Sequence, residues 1–180
     1  MNDNKELQIR RTRLHEKYIF RNVHKSEATI TAEIESICFP PNEACSLEHM
    51  TDRVNRAPEF LLVAEDRSTG KIAGLLSGLA TDNEHLTDDF FTDAGVHDPH
   101  GTNIMLLGLD VLPEYRGQGL ARELVEQYKE RERIKGRKKL ILTCLPEKVS
   151  MYESFGFKNR GIGVSEWGGE AWYEMCLDII

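Results

Sequence analysis

The chain has 180 residues, 40% of them hydrophobic, enough for one core of ordinary size and so for a single domain, 1–180. Its 23 Lys and Arg against 30 Asp and Glu leave a net charge of −7, which disfavours non-specific binding to nucleic acid or an anionic membrane. No apolar run could span a bilayer, the polar stretch Met1–Glu6 lacks the core of a secretory signal, and Cys38, Cys45, Cys144 and Cys176 form no Cys-x-x-Cys pair, so a cytoplasmic protein without a metal site is expected.

Lys17 to His24 reads as a first strand through Tyr18, Phe20 and Val23, and Leu7 to Leu14 before it fits an extra strand or an extended arm. A helix begins at Ser26-Glu27-Ala28-Thr29, carries Ile30, Ile34 and Ile37 on one side, and ends before Pro40-Pro41. Ser46 is the N-cap of a second helix that runs to Arg56 and is stopped by Pro58. Glu59–Glu65 and Lys71–Leu79 make a hairpin around Ser68-Thr69-Gly70. Thr81 to His100 is an acidic connection with a short helix, and its His85, His97 and His100 read as solvated turn residues.

Met105 to Leu112 has the character of a buried strand and is broken by Pro113-Glu114. Arg116-Gly117-Gln118-Gly119-Leu120-Ala121 follows. A helical pattern comes next, with Leu120, Leu124 and Tyr128 on one face and Glu123, Glu126 and Lys129 on the other. Gly136 and the basic residues around it close that helix and match its negative end. Lys139 to Cys144 is another strand, Glu147 to Ser154 a short helix after Pro146, and Ala171 to Ile180 the last strand.

The glycines of the strand-to-helix junction let the backbone turn sharply and leave successive N–H groups bare at the positive end of a helix dipole, a place built to hold a diphosphate. The spacing is neither Gly-x-Gly-x-x-Gly nor Gly-x-x-x-x-Gly-Lys-Ser/Thr, which sets aside dinucleotide folds and nucleoside triphosphate loops.

What the segment resembles is Arg/Gln-x-x-Gly-x-Gly/Ala, the pyrophosphate loop of the GNAT acetyltransferases, and the element order is similar to theirs along nearly the whole chain. The resemblance implies an α/β fold: a central mixed, mostly antiparallel sheet, splayed at the acetyl-coenzyme A site and flanked by helices. It implies that Arg116, Gly117, Gln118, Gly119, Leu120, Ala121 and Arg122 hold the diphosphate of acetyl-coenzyme A, the co-substrate. Backbone from Leu109 through Asp110 to Val111 would pair with the pantetheine arm. Met151-Tyr152-Glu153-Ser154-Phe155-Gly156-Phe157 is similar to the family's Phe-Tyr-x-x-x-Gly-Phe signature, which places Tyr152 at the coenzyme sulfur. A phenol with an ordinary pKa of about 10 can protonate a departing thiolate of comparable basicity.

Glu33–Phe39, the hairpin and Leu106–Val111 further resemble the serotonin (arylalkylamine) N-acetyltransferase branch. Vertebrate members of that branch carry His-x-His on the central strand, where this chain has Met105 and Leu107, so the histidine relay is not carried over. Glu43, in Phe39-Pro40-Pro41-Asn42-Glu43-Ala44-Cys45-Ser46, resembles in its place the general-base glutamate of the branch's insect enzymes. A carboxylate there would hold or deprotonate an alkylammonium; equally, it would simply favour the dipole of the helix it precedes. Phe39, Pro40 and Trp167 are candidates for the amine pocket, Trp167 through its ring face, whereas Trp172 reads as core. Cys144 as an acetyl-carrying nucleophile is the alternative to direct transfer. The expected activity is therefore N-acetylation of a small-molecule primary amine, an arylalkylamine by the branch resemblance. A polyamine or a protein N-terminus is the alternative acceptor, and a non-catalytic coenzyme A-binding regulatory module the alternative of another class. No nucleic-acid or membrane partner is expected. The chain would be a monomer or a homodimer, with residues 171–180 available to pair across the dimer.

Overall fold

In the computed structural model, which describes residues 2–180, thirteen regular elements alternate along the chain. They begin with α1 (Asn2–Lys17), β1 (Tyr18–Asn22), α2 (Ala28–Cys38) and α3 (Leu47–Arg56). The hairpin β2 (Leu61–Asp66) and β3 (Ile72–Thr81) follows, then the short α4 (Asp89–Thr92), β4 (Asn103–Val111) and α5 (Leu120–Ile134). The chain ends through β5 (Lys139–Cys144), α6 (Val149–Ser154), β6 (Lys158–Ile162) and β7 (Tyr173–Asp178). One sheet takes all seven strands in the order β1-β2-β3-β4-β5-β7-β6. Every pairing is antiparallel except β4 with β5.

Alternation along β2 and β3 sends side chains to two cores. Leu61, Val63, Ile72 and Leu75 pack with Ile34 of α2 and with Met50 and Val54 of α3. Leu62, Ala64 and Leu76 face the other way and join Leu120, Leu124 and Tyr128 of α5. The site lies where these layers are pried apart, because β4 and β5 pair only at Asn103↔Lys139, Ile104↔Leu140 and Met105↔Ile141.

Several expectations change. Leu7–Leu14 is neither strand nor arm but the middle of α1, a helix whose one deeply buried side chain there is Leu14. It is held by polar contacts instead: Arg11 Nε and His15 Nε2 meet Glu123 Oε1 at 3.1 and 2.8 Å. Glu123 therefore sits buried beneath α1 rather than on a wet face of α5. On α2 the buried stripe is Ala28, Thr31, Ala32, Ile34 and Glu35, while Ile30 and Ile37 are exposed. His97 is not solvated: its Nδ1 accepts the Ala80 amide at 3.1 Å, its ring lies edge-on to Phe60, and burial lowers its pKa. His85 contacts buried Glu174 at 3.0 Å. A strand absent from the sequence reading, β6, covers the outer edge of β7, so residues 171–180 present no free edge along Lys158–Ile162. Among the described residues no helix is long and apolar enough to cross a membrane, and no His, Cys, Asp and Glu cluster is suited to a metal ion.

Candidate active site

β4 leads through the turn Pro113–Tyr115 into the glycine loop. Gly117 (φ 75°) and Gly119 (φ 88°) both take the left-handed backbone that side chains oppose, and α5 starts directly after them. Among the described residues, no main-chain carbonyl accepts from the amides of Gly117 to Arg122, so a row of donors faces outward at the start of a 15-residue helix. Such a row, at the end with the positive dipole, binds phosphate oxygens without needing a cationic side chain.

Two of the side chains here are engaged elsewhere. Arg116 Nε donates to Val111 O at 2.8 Å, which fixes the end of β4, and Gln118 Oε1 accepts from Lys17 Nζ at 2.9 Å and Tyr18 Oη at 3.2 Å. Neither Gln118 nor the Asp110 side chain lines the cavity described next, so their part in holding a cofactor would fall to the backbone. Arg122 bridges α5 to the tyrosine helix: it donates to Ser154 O at 2.7 Å and lies 4.7 Å from the Phe155 ring centre. Sequence reasoning missed one contribution. Arg10, Arg13 and Lys17 of α1 border the loop, with Arg10 Cδ only 3.1 Å from where a Cβ on Gly119 would lie.

Past Met105 and Ile141 the strands diverge, and a cavity of about 590 Å³ opens from the glycine loop through the sheet to the loop after α2. Leu109, Val111, Gly119 and Ala121 form its loop end. Cys144 and Tyr152 stand on the β5 side, and Phe39, Pro40, Glu43 and Trp167 at the far mouth. The sequence candidates from both ends of the chain thus share one wall-to-wall space. That mouth is stitched together: Trp167 Nε1 donates to Glu43 O at 3.0 Å, Asn42 Nδ2 to Gly168 O at 2.9 Å, and Trp167 stacks on Phe91 at 5.0 Å. Trp172 is buried, as expected, yet it also lines the cavity and donates Nε1 to Trp167 O at 2.7 Å.

The ionisable groups are tuned by this enclosure. Tyr152 packs against Phe155 and Phe157, and burial, with smaller pushes from Cys144 and Asp110, holds its hydroxyl above the ordinary phenol pKa. Burial and Glu147 raise the Cys144 thiol to about 11, which keeps it a thiol rather than a nucleophilic thiolate. Glu43 is shifted upward by burial and by Glu170 and Glu147. Glu35, on the inward stripe of α2, also reaches the cavity wall and was missed. Its only sequence signal was a carboxylate in register with Thr31, Ile34 and Cys38 rather than with the solvent face.

A sheet whose one parallel pair parts over a glycine-bent helix start, with a tyrosine helix opposite, is the architecture of an acetyltransferase of the GNAT type. The chain belongs to the acetyltransferase (GNAT) family, whose sequence model matches residues 28–157. The probable hydrolase YhcX of Bacillus subtilis (strain 168) is 28% identical to it over 138 residues, which make up 73% of this chain and 26% of that protein. The chain thus spans about a quarter of that relative's length. Among solved structures, the loading GNATL domain of CurA from Lyngbya majuscula is similar with a TM-score of 0.76 at 19% identity, covering 90% of this chain and 98% of that one. The GphF GNAT-like decarboxylase in complex with isobutyryl-CoA is similar with a TM-score of 0.74 at 20% identity, covering 90% and 100%. At these identities the two structures bear on the fold alone.

Proposed function

We propose that the chain transfers the acetyl group of acetyl-coenzyme A directly to a primary amine. The observation that carries this is the single cavity joining the bare amides of the glycine loop, the Tyr152 hydroxyl and the Glu43 carboxylate. Amides from Gly117 to Arg122 would grip the diphosphate, with Arg10 and Lys17 adding positive charge from α1. The unpaired edge of β4 beyond Met105, at Leu109 to Val111, would pair with the pantetheine arm. When bound, acetyl-coenzyme A supplies the activated acyl carbon; everything else falls to the protein. Fixing nitrogen and carbonyl in one narrow space removes most of the entropic barrier to their meeting. Glu43, at the mouth, draws in an ammonium and strips it as it enters, since only the neutral amine attacks. Tyr152 gives a proton to the departing sulfur.

An arylalkylamine is the acceptor we favour, because Phe39, Phe91 and Trp167 surround the mouth with aromatic faces beside a carboxylate. Thiol release from acetyl-coenzyme A with 2-phenylethylamine, spermidine and a short peptide tests the reading, in wild type and in Tyr152→Phe. Amine-dependent release that collapses in Tyr152→Phe supports direct transfer. A clear preference for spermidine or the peptide reassigns the acceptor. Tight coenzyme A binding without release for any of the three would make the chain a binding module.

A further inference from the structure

Helix α1 lies ahead of the segment that matches the family, which starts at residue 28, and it divides its cations between two faces. Arg11 and His15, four residues apart, turn to Glu123 of α5 and hold the helix down. Arg10, Arg13 and Lys17, spaced i, i+3 and i+7, share the neighbouring face and wall a groove of about 440 Å³ between α1 and the glycine loop. Among the described residues no carboxylate lies within ion-pair distance of these three, and the groove's own carboxylate, Glu6, pairs with none of them. All three are exposed, so an anion in solvent can reach them. In a chain of net charge −7, cations clustered without carboxylates make a local well for an anion.

The groove adjoins the bend that would hold the diphosphate. Gln118 is part of its wall, while Gly117 and Gly119, on either side of Gln118, line the large cavity. Lys17 Nζ donates to Gln118 Oε1 at 2.9 Å and lies 5.2 and 5.4 Å from the ring centres of Tyr18 and Tyr115, which fixes the ammonium at the junction. Arg10 crosses over Gly119, and Arg13 stands one helical turn further along the same face. Between the guanidinium groups the wall is apolar: Leu14 is buried, but Ile9 is 45% exposed and open to the groove. An aliphatic surface beside two guanidinium planes suits a flat heteroaromatic base, and the guanidinium forks suit a phosphate.

We propose that the groove between α1 and the glycine loop takes the adenosine 3′-phosphate of coenzyme A, with Arg13 as its main contact and Arg10 shared between that phosphate and the diphosphate. The inference rests on the reading of the glycine loop as the diphosphate site. From a diphosphate seated there the cofactor leaves in two directions. The pantetheine arm enters the large cavity, and the adenosine goes to the outside, where one ribose separates the 3′-phosphate from the loop. That phosphate is a monoester carrying close to two negative charges at neutral pH, the strongest anion of the molecule. Main-chain amides read the diphosphate and would serve any phosphopantetheine donor; the guanidinium groups of α1 would select the donor that also carries the 3′-phosphate. Helix α1 is thus a specificity element for the free coenzyme, held in place by Glu123.

The test titrates the full chain calorimetrically with coenzyme A and with 3′-dephospho-coenzyme A. Wild type is expected to bind coenzyme A about tenfold or more tightly at low ionic strength, a preference that shrinks as salt is added. Arg13→Ala should remove most of the preference and leave the dephospho compound's affinity as it was. Arg10→Ala should weaken both ligands. Arg56→Ala, which deletes the same charge from α3, should change neither. Both α1 arginines are exposed, so the variants fold. Phosphorus NMR gives a second readout: the 3′-phosphate of bound coenzyme A should titrate at lower pH than that of the free coenzyme. Equal affinity for the two coenzymes, a preference that survives Arg13→Ala, or a monoester that titrates as in solution overturns the groove assignment while the loop reading stands. Inorganic phosphate that competes as well as the coenzyme makes the groove a free-anion site and overturns the assignment too. Binding of neither coenzyme overturns the loop reading and the groove together. A preference that persists without amine-dependent thiol release removes the acetylation reading and leaves the groove.

Discussion

Met105 and Ile141 are the last residues of β4 and β5 to face each other across the sheet. Beyond them both strands continue, each held on its outer side: β4 by β3 as far as Val111↔Gly74, and β5 by β7 as far as Cys144↔Tyr173. The gap is therefore not frayed. Two well-paired halves of one sheet part at a fixed residue, and the amides along the inner edges of the gap have no neighbouring strand. That is where an extended thioester arm would substitute for a strand, and it sets the reach to Tyr152 and the acceptor loop.

Tyr152→Phe is expected to lower kcat by about 10²- to 10⁴-fold, the usual worth of a positioned general acid, with little change in affinity for coenzyme A. The ring contacts with Phe155 and Phe157, at 6.0 and 5.7 Å between centres, survive the substitution. Because burial holds the hydroxyl above its ordinary value of 10.0, Tyr152 remains an acid through the alkaline range. Wild-type kcat should show no alkaline decline before that value. Stopped-flow thiol release as a function of pH checks both statements.

Gly117→Ala and Gly119→Ala form a matched pair. Each forces alanine into left-handed backbone, at a cost of about 1–2 kcal/mol, seen as a lower Tm and weaker coenzyme A binding. At Gly117 nothing lies within 4 Å of the added carbon, whereas at Gly119 it meets Arg10 Cδ at 3.1 Å. Gly119→Ala should therefore be the worse of the two, and adding Arg10→Ala should recover the excess. Thermal melts with and without coenzyme A measure this. Equal effects at the two glycines would mean that α1 gives way freely.

Much of this was legible from local signals. Ser46 accepts the His49 amide at 3.1 Å as an N-cap should, and the loop glycines take the positive φ their position demands. Helix α1 and strand β6 were not legible, because neither is defined by its own apolar pattern. Helix α1 rests on Glu123 and Gln118, over a hundred residues away in sequence, and β6 has no buried residue and owes its place to β7. Glu35 escaped for a related reason. A carboxylate on an amphipathic helix reads as solvated until the opposing strand is known to bring Asp110 and Ser77 beneath it.

Glu43 should impose an acid limb on activity. It must be ionised to attract and deprotonate an ammonium, and its pKa lies above the ordinary 4.5 because of burial, Glu170 and Glu147, in that order. Activity therefore falls as the pH drops through that raised value. Glu170→Gln and Glu147→Gln should each move the limb to lower pH by removing a like charge, the first more than the second. Glu43→Gln should remove the limb and lower kcat/KM for cationic acceptors. Rate–pH profiles of the three variants decide it; a limb that ignores Glu170 and Glu147 belongs to another group.

Asp110→Asn tests the buried carboxyl through stability rather than rate. Burial, foremost, and Glu35 hold the folded-state pKa of Asp110 well above its ordinary 3.8. The folded protein therefore keeps a proton that the unfolded chain sheds near pH 4. The resulting stabilisation is fully present below the unfolded value and is lost as pH rises toward the folded one, at about 1.4 kcal/mol for each unit in between. Asparagine has no proton to lose, so the variant should gain on wild type as pH climbs from 4 to 7 and show the smaller advantage in acid. Urea unfolding at several pH values gives the difference directly. A gap between the two proteins that stays constant with pH would mean that Asp110 titrates as an ordinary carboxylate, in spite of its burial.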